Sequence, residues 1–431
     1  MTSKKIVLVH VCQNLVLGGR GRMMQNLAKL QVGGAFLPIV AGITGATSTV
    51  TYLKSLGIQA AILGANLEGL EAVVSKGVPF AVVVHRSGEE SEIWNYVVPK
   101  LQAEGARVIL DANVFGYADR GAVARIVDMV ICNSLHTLWR HWNALGRPDI
   151  QRYLDKHRVI YNPVLFNPTE HDISDARSKM RQKLGVPKDA IVFFDICRPA
   201  PEKLDWMIVD VLRALCRHRE NVYFIARSYP EGIAKTLRQF MNGRFFNLPV
   251  TSDEREMLAT IAAGDVMLHM SSMGESFGMA IAEAMRCGRP VIANATPSAK
   301  QNNAQVELIS QGKNGFISTG PATTLSHCRM LVDDPELRAT MGKNVRAAFN
   351  SGALCPESIG SEFDAELSTK FFGQPMIDRR QPSKLICADY LSNYHPETYR
   401  EPLFVGGVSL YWRSKVSFNR LIWRFRRKYL G

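Results

Sequence analysis

Glu275 and Glu283 stand eight positions apart, with Ser276, Phe277, Gly278 and Met279 following the first of them and Ala280-Ile281-Ala282 preceding the second. Gly274 and Gly278 loosen the backbone ahead of a run of good or acceptable helix formers. Gly288 stops that run, and Pro290 leads into the apolar Val291-Ile292-Ala293, as a glycine-capped helix leads into a buried strand. The stretch therefore reads as loop, helix, tight turn and strand. At 1.5 Å per residue, Glu283 lies about 10 Å from the helix start. A ligand lying along the helix would meet one carboxylate at each end, with the backbone N–H groups of residues 277 to 279 opposite its middle. Those groups and the helix dipole favour an anion. Hydroxyls at both ends and phosphate between them describe a nucleotide sugar. The plain alternative is an amphipathic helix with two solvated glutamates.

A second pair able to do chemistry is Arg198 and Lys203, five apart after the apolar run 190–197. Pro199 and Pro201 stiffen the loop, so two cations can be aimed at one point. In the N-terminal half, three strand-like runs end in polar clusters: His85-Arg86-Ser87-Gly88, Asp111-Ala112-Asn113 and Asn133-Ser134. Ligands of a parallel sheet bind at the carboxyl ends of its strands, which makes His85, Asp111 and Asn113 candidate contacts for a substrate. A lone histidine after a strand is more often structural. Gly18-Gly19 lie in a loop, 13–21, whose glycines could approach a phosphate, but their spacing does not fit G-x-G-x-x-G. Arg20 and Arg22 follow, either as contacts for an anionic acceptor or as a basic helix start.

The elements that must position these residues are strands alternating with helices. Residues 4–11, 36–42, 60–63, 80–85, 107–110 and 128–132 read as strands of a first half. Residues 190–197, 221–226 and 266–269 read as strands of a second, with helices over 23–31, 204–217 and 254–263. Repeated strand and helix predict an α/β fold with parallel sheets covered on both faces. At 431 residues the chain is too long for one ordinary core, so two domains are expected. Apolar residues make 46% and charged residues 21%, and no apolar run is long enough to cross a bilayer. The opening segment, interrupted by His10, Gln13 and Asn14, reads as a strand rather than a signal peptide. Eight cysteines without CxxC spacing suit reduced thiols and a cytoplasmic location.

The net charge of +13 is unevenly placed. Residues 408–431 carry seven basic and no acidic side chains, leaving 13 − 7 = +6 elsewhere. As a helix, 410–430 would gather Tyr411, Phe418, Ile422, Phe425 and Tyr429 opposite Arg413, Arg420, Arg424 and Arg427. That pattern suits peripheral binding to an anionic membrane surface, or docking on the protein's own body. No nucleic-acid module accompanies the charge, so no nucleic-acid partner is expected.

Glu275-Ser276-Phe277-Gly278 with Glu283, then Glu-Ala-Met and Gly288-Arg289-Pro290-Val291, resembles the E-x7-E signature of retaining glycosyltransferases of family 4 (glycosyltransferase group 1). Arg198 and Lys203 resemble that family's G-R-x-x-x-x-K element, with Cys197 in the glycine's place. Residues 158–163 resemble its crossing segment V-I-P-N-G-V, residues 312–315 its G-x-N-G element, and Gly18-Gly19 its first-turn double glycine. A histidine common after the strand 107–110 is replaced here by Asp111 or Asn113.

The resemblance implies a GT-B fold, two Rossmann-like domains facing across a cleft: residues 1–165 on the acceptor side, 166–350 on the donor side, and 351–431 as an extension. It implies retaining transfer of a hexose from a nucleotide-sugar donor to a glycan or lipid-linked acceptor, with neither metal nor cofactor, and no Asp-x-Asp pair is present. In that scheme Arg198 and Lys203 bind the donor diphosphate, Glu275 orients sugar hydroxyls and Glu283 the ribose. Ser276, Phe277, Gly278, Met279, Gly18 and Gly19 line the donor. A non-catalytic sugar-nucleotide scaffold, or a GT-B epimerase or phosphorylase, would keep the same binding residues.

Overall fold

The computed structural model describes residues 6–396 apart from 17–18, 65, 75–78, 87, 89, 119–120, 199, 201–202, 252, 297–300 and 373–381. Gly18 and the basic stretch 410–430 lie outside the described residues. The chain forms two units, one of residues 1–165 with 348–394, the other containing residues 166–347.

The first unit holds a seven-stranded sheet: β1 (Ile6–Leu15), β2 (Phe36–Gly45), β3 (Gln59–Ile62), β4 (Pro79–Arg86), β5 (Val108–Asn113), β6 (Met129–Cys132) and β7 (His157–Val159), ordered β3-β2-β1-β4-β5-β6-β7. Every pairing is parallel. Central strands with both faces covered must be apolar throughout, and Leu8, Val9, Val11, Val82, Val83 and Val84 are all buried. Burying each such side chain contributes about 1.5–3 kcal/mol before entropy is counted.

Several boundaries differ from the sequence expectation. β1 runs on to Leu15, because its pairing with β2 continues to Leu15↔Gly45, and the next helix, Gly19–Gln31, starts earlier than residue 23. β4 and β5 also run further than expected, to Arg86 and Asn113, so the polar residues occupy the last positions of the strands: His85 pairs with Ala112 and Arg86 with Asn113.

Two helices from the stretch expected as an extension, Pro356–Phe372 and Lys384–Asn393, belong to this first unit. Gln31 Nε2 on the Gly19–Gln31 helix donates to Asp364 at 3.0 Å, Arg158 to Glu366 at 3.1 Å, and Tyr394 meets Trp139 edge-on with ring centroids 4.9 Å apart.

The second unit repeats the architecture with β8 (Ile191–Ile196), β9 (Val222–Arg227), β10 (Phe245–Leu248), β11 (Val266–His269), β12 (Val291–Asn294) and β13 (Gly315–Ser318), ordered β10-β9-β8-β11-β12-β13 and parallel throughout. Its core joins Phe193, Phe224, Leu268, Ile292 and Phe316 of the sheet to Ile208, Leu212 and Leu237 of the flanking helices. Asp265, just before β11, receives Arg177 at 2.6 Å, Arg181 at 2.8 Å and the Val192 N–H at 2.7 Å, which ties the Glu170–Leu184 helix to the sheet. β10 and β13 were not expected from sequence; each is four residues long and sits at an edge.

Candidate functional site

At the carboxyl end of β11 the chain turns through residues 270–278 before entering the Met279–Arg286 helix. Gly274 has φ +66°, and a Cβ there would collide with the Asn302 carbonyl and the Thr296 hydroxyl, so only glycine fits. Gly278, φ +102°, opens the helix, whose first bond runs from the Ala282 N–H to the Gly278 carbonyl at 2.9 Å. The N–H groups of that first turn have no partner within the helix.

Side chains beneath fix the turn from both sides. Asn294, ending β12, accepts from the Ser271 N–H at 2.7 Å and donates to the Ser271 carbonyl at 2.9 Å. Gln305 accepts from the Glu275 N–H at 3.0 Å and donates to the Asn294 carbonyl at 2.8 Å, while the Glu275 carbonyl accepts from the Ala304 N–H at 2.8 Å.

Glu275 is thereby presented to a chain of charges. Its Oε1 accepts from Lys203 Nζ at 2.8 Å and from His269 Nε2 at 3.1 Å. The other ring nitrogen of His269, Nδ1, donates to Asp195 Oδ1 at 2.8 Å, and Asp195 Oδ2 accepts from the Tyr229 hydroxyl at 2.7 Å. Asp195, next to last in β8, and His269, last in β11, lie near the carboxyl ends of neighbouring strands. Burial opposes charge on His269, but Asp195 and Glu275 on either side outweigh it and lift its pKa to about 10. Burial likewise opposes charge on Glu275, and Lys203 and His269 overcome it, holding the carboxyl at about 2. At neutral pH the imidazolium bridges two carboxylates. Burial, and next the Asp195 charge, push the Tyr229 hydroxyl well above its ordinary range, so it stays a donor.

Among the predicted donor residues, Lys203 and Glu275 are in direct contact, and Lys203 also donates to the Gly274 carbonyl at 3.3 Å. Two of its three N–H donors are thus engaged within the protein. Arg198 is exposed, with no ion-pair partner among the described residues. Phe277, Gly278 and Glu283 are buried, and Ser276 and Met279 half-buried. Gly19 starts its helix, and the Arg20 side chain is outside what the structure describes.

His85, Asp111 and Asn113 are buried in the first unit and engaged there. Asp111 pairs with Arg86 at 3.4 Å, and Asn113 holds the Tyr117 N–H and carbonyl at 3.0 and 2.6 Å. His85 Nε2 meets His10 Nδ1 at 2.9 Å, and His10 Nε2 donates to Gln31 Oε1 at 3.0 Å. Burial lowers the His10 pKa to about 4 and His85 well below its ordinary value, so both rings are neutral. His10 then accepts from His85, leaving His85 Nδ1 an unprotonated, buried atom without a hydrogen bond.

Sequence reasoning missed Asp195, His269 and Tyr229. A signal was present: Asp195 and His269 are single ionisable residues in apolar strands, and a buried charge requires a partner.

Residues 176–348 match the family described as glycosyl transferases group 1, so the second unit carries a domain of that family. Trehalose synthase of Thermococcus litoralis is 25% identical over 232 residues, 50% of this chain and 54% of that protein. D-inositol 3-phosphate glycosyltransferase of Streptomyces bingchenggensis is 30% identical over 256 residues, 55% and 50% of the respective chains. The chain spans about half the length of the curated relatives it matches. HepE of Anabaena, solved with UDP and glucose, superposes with a TM-score of 0.65 at 21% identity, covering 84% of this chain and 100% of that one. Two parallel-sheet, Rossmann-like domains of the GT-B glycosyltransferase type are therefore the fold of this protein.

Proposed function

We propose that the protein is a glycosyltransferase that moves a hexose, with retention, from a nucleotide-sugar donor bound by residues 166–350 to a glycan or lipid-linked acceptor. The observation that carries this reading is Glu275 held ionised between Lys203 and His269 at the carboxyl edge of the second sheet, in the segment matching group 1 glycosyl transferases. An ionised, immobilised carboxylate accepts sugar hydroxyls and supports positive charge at the anomeric carbon. Diphosphate departs with developing negative charge. Arg198, the remaining donor of Lys203 and the N–H groups opening the Met279–Arg286 helix supply fixed positive potential for it, which is electrostatic catalysis without a metal ion. Glu283, eight residues on, is placed in this scheme toward the ribose.

The basic stretch 410–430 supports a membrane-surface location for the acceptor; among the described residues, no helix is long and apolar enough to cross a membrane. Sedimentation with phosphatidylglycerol vesicles, compared with a chain ending at residue 408, tests that part.

The donor reading is tested by thermal shift against nucleoside diphosphates and their sugars in the presence of EDTA, beginning with UDP-sugars. A ligand at a hundred times its dissociation constant stabilises by about 2.7 kcal/mol. A sugar-selective shift lost in Glu275→Ala and Arg198→Ala supports donor binding, and mass analysis of the products separates transfer from epimerisation, phosphorolysis and mere binding. No shift with any nucleotide would remove the reading.

A further inference from the structure

The first unit contains a cavity of about 210 Å³ lined by Ile43, Asn66, Leu67, Glu92, Tyr96 and Lys100. It lies at the carboxyl edge of the first sheet: Ile43 is near the end of β2, Asn66 and Leu67 follow β3, and the other three follow β4. β1 sits between β2 and β4, which leave it in opposite directions along the sheet, and such a switch point is where open α/β sheets leave a crevice. Gln13, near the end of β1, donates to Glu92 Oε2 at 2.6 Å and fixes that carboxylate at the rim.

The lining follows from a local irregularity. Ile93–Val97 is a π-helical turn continuing into the Val98–Ala103 helix. Its wider turn offsets the drift that a four-residue spacing suffers on a 3.6-residue helix, so Glu92, Tyr96 and Lys100 share one face. On the same turn Ile93, Trp94 and Val97 are buried, whereas Tyr96 is 62% exposed. An exposed ring on an anchored turn is a platform. Glu92, Asn66 and Lys100 set an acceptor, an amide and a donor around it, while Ile43 and Leu67 supply the apolar floor.

We infer that the Tyr96 cavity binds a single hexose ring, the sugar moiety of the acceptor, by stacking on Tyr96 with its hydroxyls bonded by Glu92, Asn66 and Lys100. This rests on the reading of the protein as a glycosyltransferase. A ring with an apolar face and hydroxyl edges matches an aromatic platform with a polar rim. Lys100 is the only cation among the lining residues, which suits a neutral sugar better than a diphosphate.

The test is saturation-transfer NMR of the full chain with the methyl glycosides of glucose, galactose, mannose and N-acetylglucosamine. At least one ring is expected to receive saturation, to bind about tenfold more weakly in Tyr96→Ala and to be retained in Tyr96→Phe. Glu92→Gln should weaken binding without altering the fold. No saturation with any of the four, or equal binding in wild type and Tyr96→Ala, overturns the assignment. Nucleotide-sugar binding in the same samples separates the two readings. A bound nucleotide sugar with no bound glycoside removes the Tyr96 site and leaves the transferase standing. A Tyr96-dependent glycoside without any nucleotide sugar keeps the sugar site but removes its role as acceptor.

Discussion

His269 Nε2 lies 3.1 Å from Glu275 Oε1, six residues further along the chain, and the same ring reaches Asp195 with its other nitrogen. The imidazolium is an internal counter-ion for the residue that the proposed reaction depends on. Its position is set by strand pairing, and Glu275's by the Gly274 turn.

Stability should therefore depend on pH through both groups. His269, raised from 6.5 to about 10, contributes stability that is fully present below pH 6.5 and is lost as pH rises through 10. Glu275, lowered from 4.5 to about 2, contributes stability present above pH 4.5 and lost as pH falls through 2. Thermal midpoints of the full chain should fall between pH 7 and 10 more steeply than those of His269→Gln; parallel curves would show that His269 is neutral in the folded protein.

Asp195→Asn removes the buried anion beside His269 and should lower the histidine's pKa toward the neutral range. NMR titration of the His269 ring reads this directly. Tyr229→Phe takes away only one neutral donor, and should cost on the order of 1 kcal/mol while leaving the ring protonated at pH 7.

Glu275→Gln keeps the shape of the turn but removes the negative charge between two cations. Transfer should drop by a factor of at least about 10². Circular dichroism should remain that of the wild type. A variant that transfers normally would place the catalytic carboxylate elsewhere.

Gly274→Ala meets the Asn302 carbonyl and a positive φ together, and should cost on the order of 2 kcal/mol in unfolding free energy. Gly146→Ala, at φ +86° with nothing near its Cβ, isolates the backbone part. Equal losses in the two variants would show that the Asn302 contact carries no cost.

Much of this was legible in the sequence. The alternation of apolar runs and helical stretches predicted an α/β fold with parallel sheets, because strands buried on both faces must be continuously apolar and so stand out; the GT-B type was implied by the family resemblance. Glu275 and Lys203, which the structure brings into contact, were visible because glycines and prolines mark the loops that carry them. The edge strands β10 and β13 escaped because Asn247 and Gly315 or Ser318 break up each four-residue run, whereas the equally short edge strand β3 overlaps the uniformly apolar run 60–63. The mutual service of Asp195, His269 and Tyr229 escaped because it is a property of sheet order, which no local window contains. His85, Asp111 and Asn113 read as strand-end polar residues and stand at the ends of β4 and β5, but buried, with His10, Arg86 and Tyr117 as their partners, which no local window shows.

The first unit takes its last two helices from residues 348–394, after the whole of the 166–347 segment has been made. On a ribosome emitting about 5–20 residues per second, the Gly19–Gln31 helix waits on the order of tens of seconds for Asp364 and Phe363 to emerge. Until then His10 lacks its stacking partner, 6.3 Å away in the finished protein, and Gln31 its carboxylate. The first unit is thus begun before the 166–347 segment and closed only after it, so its early strands and helix stay without part of their packing while that segment is being made.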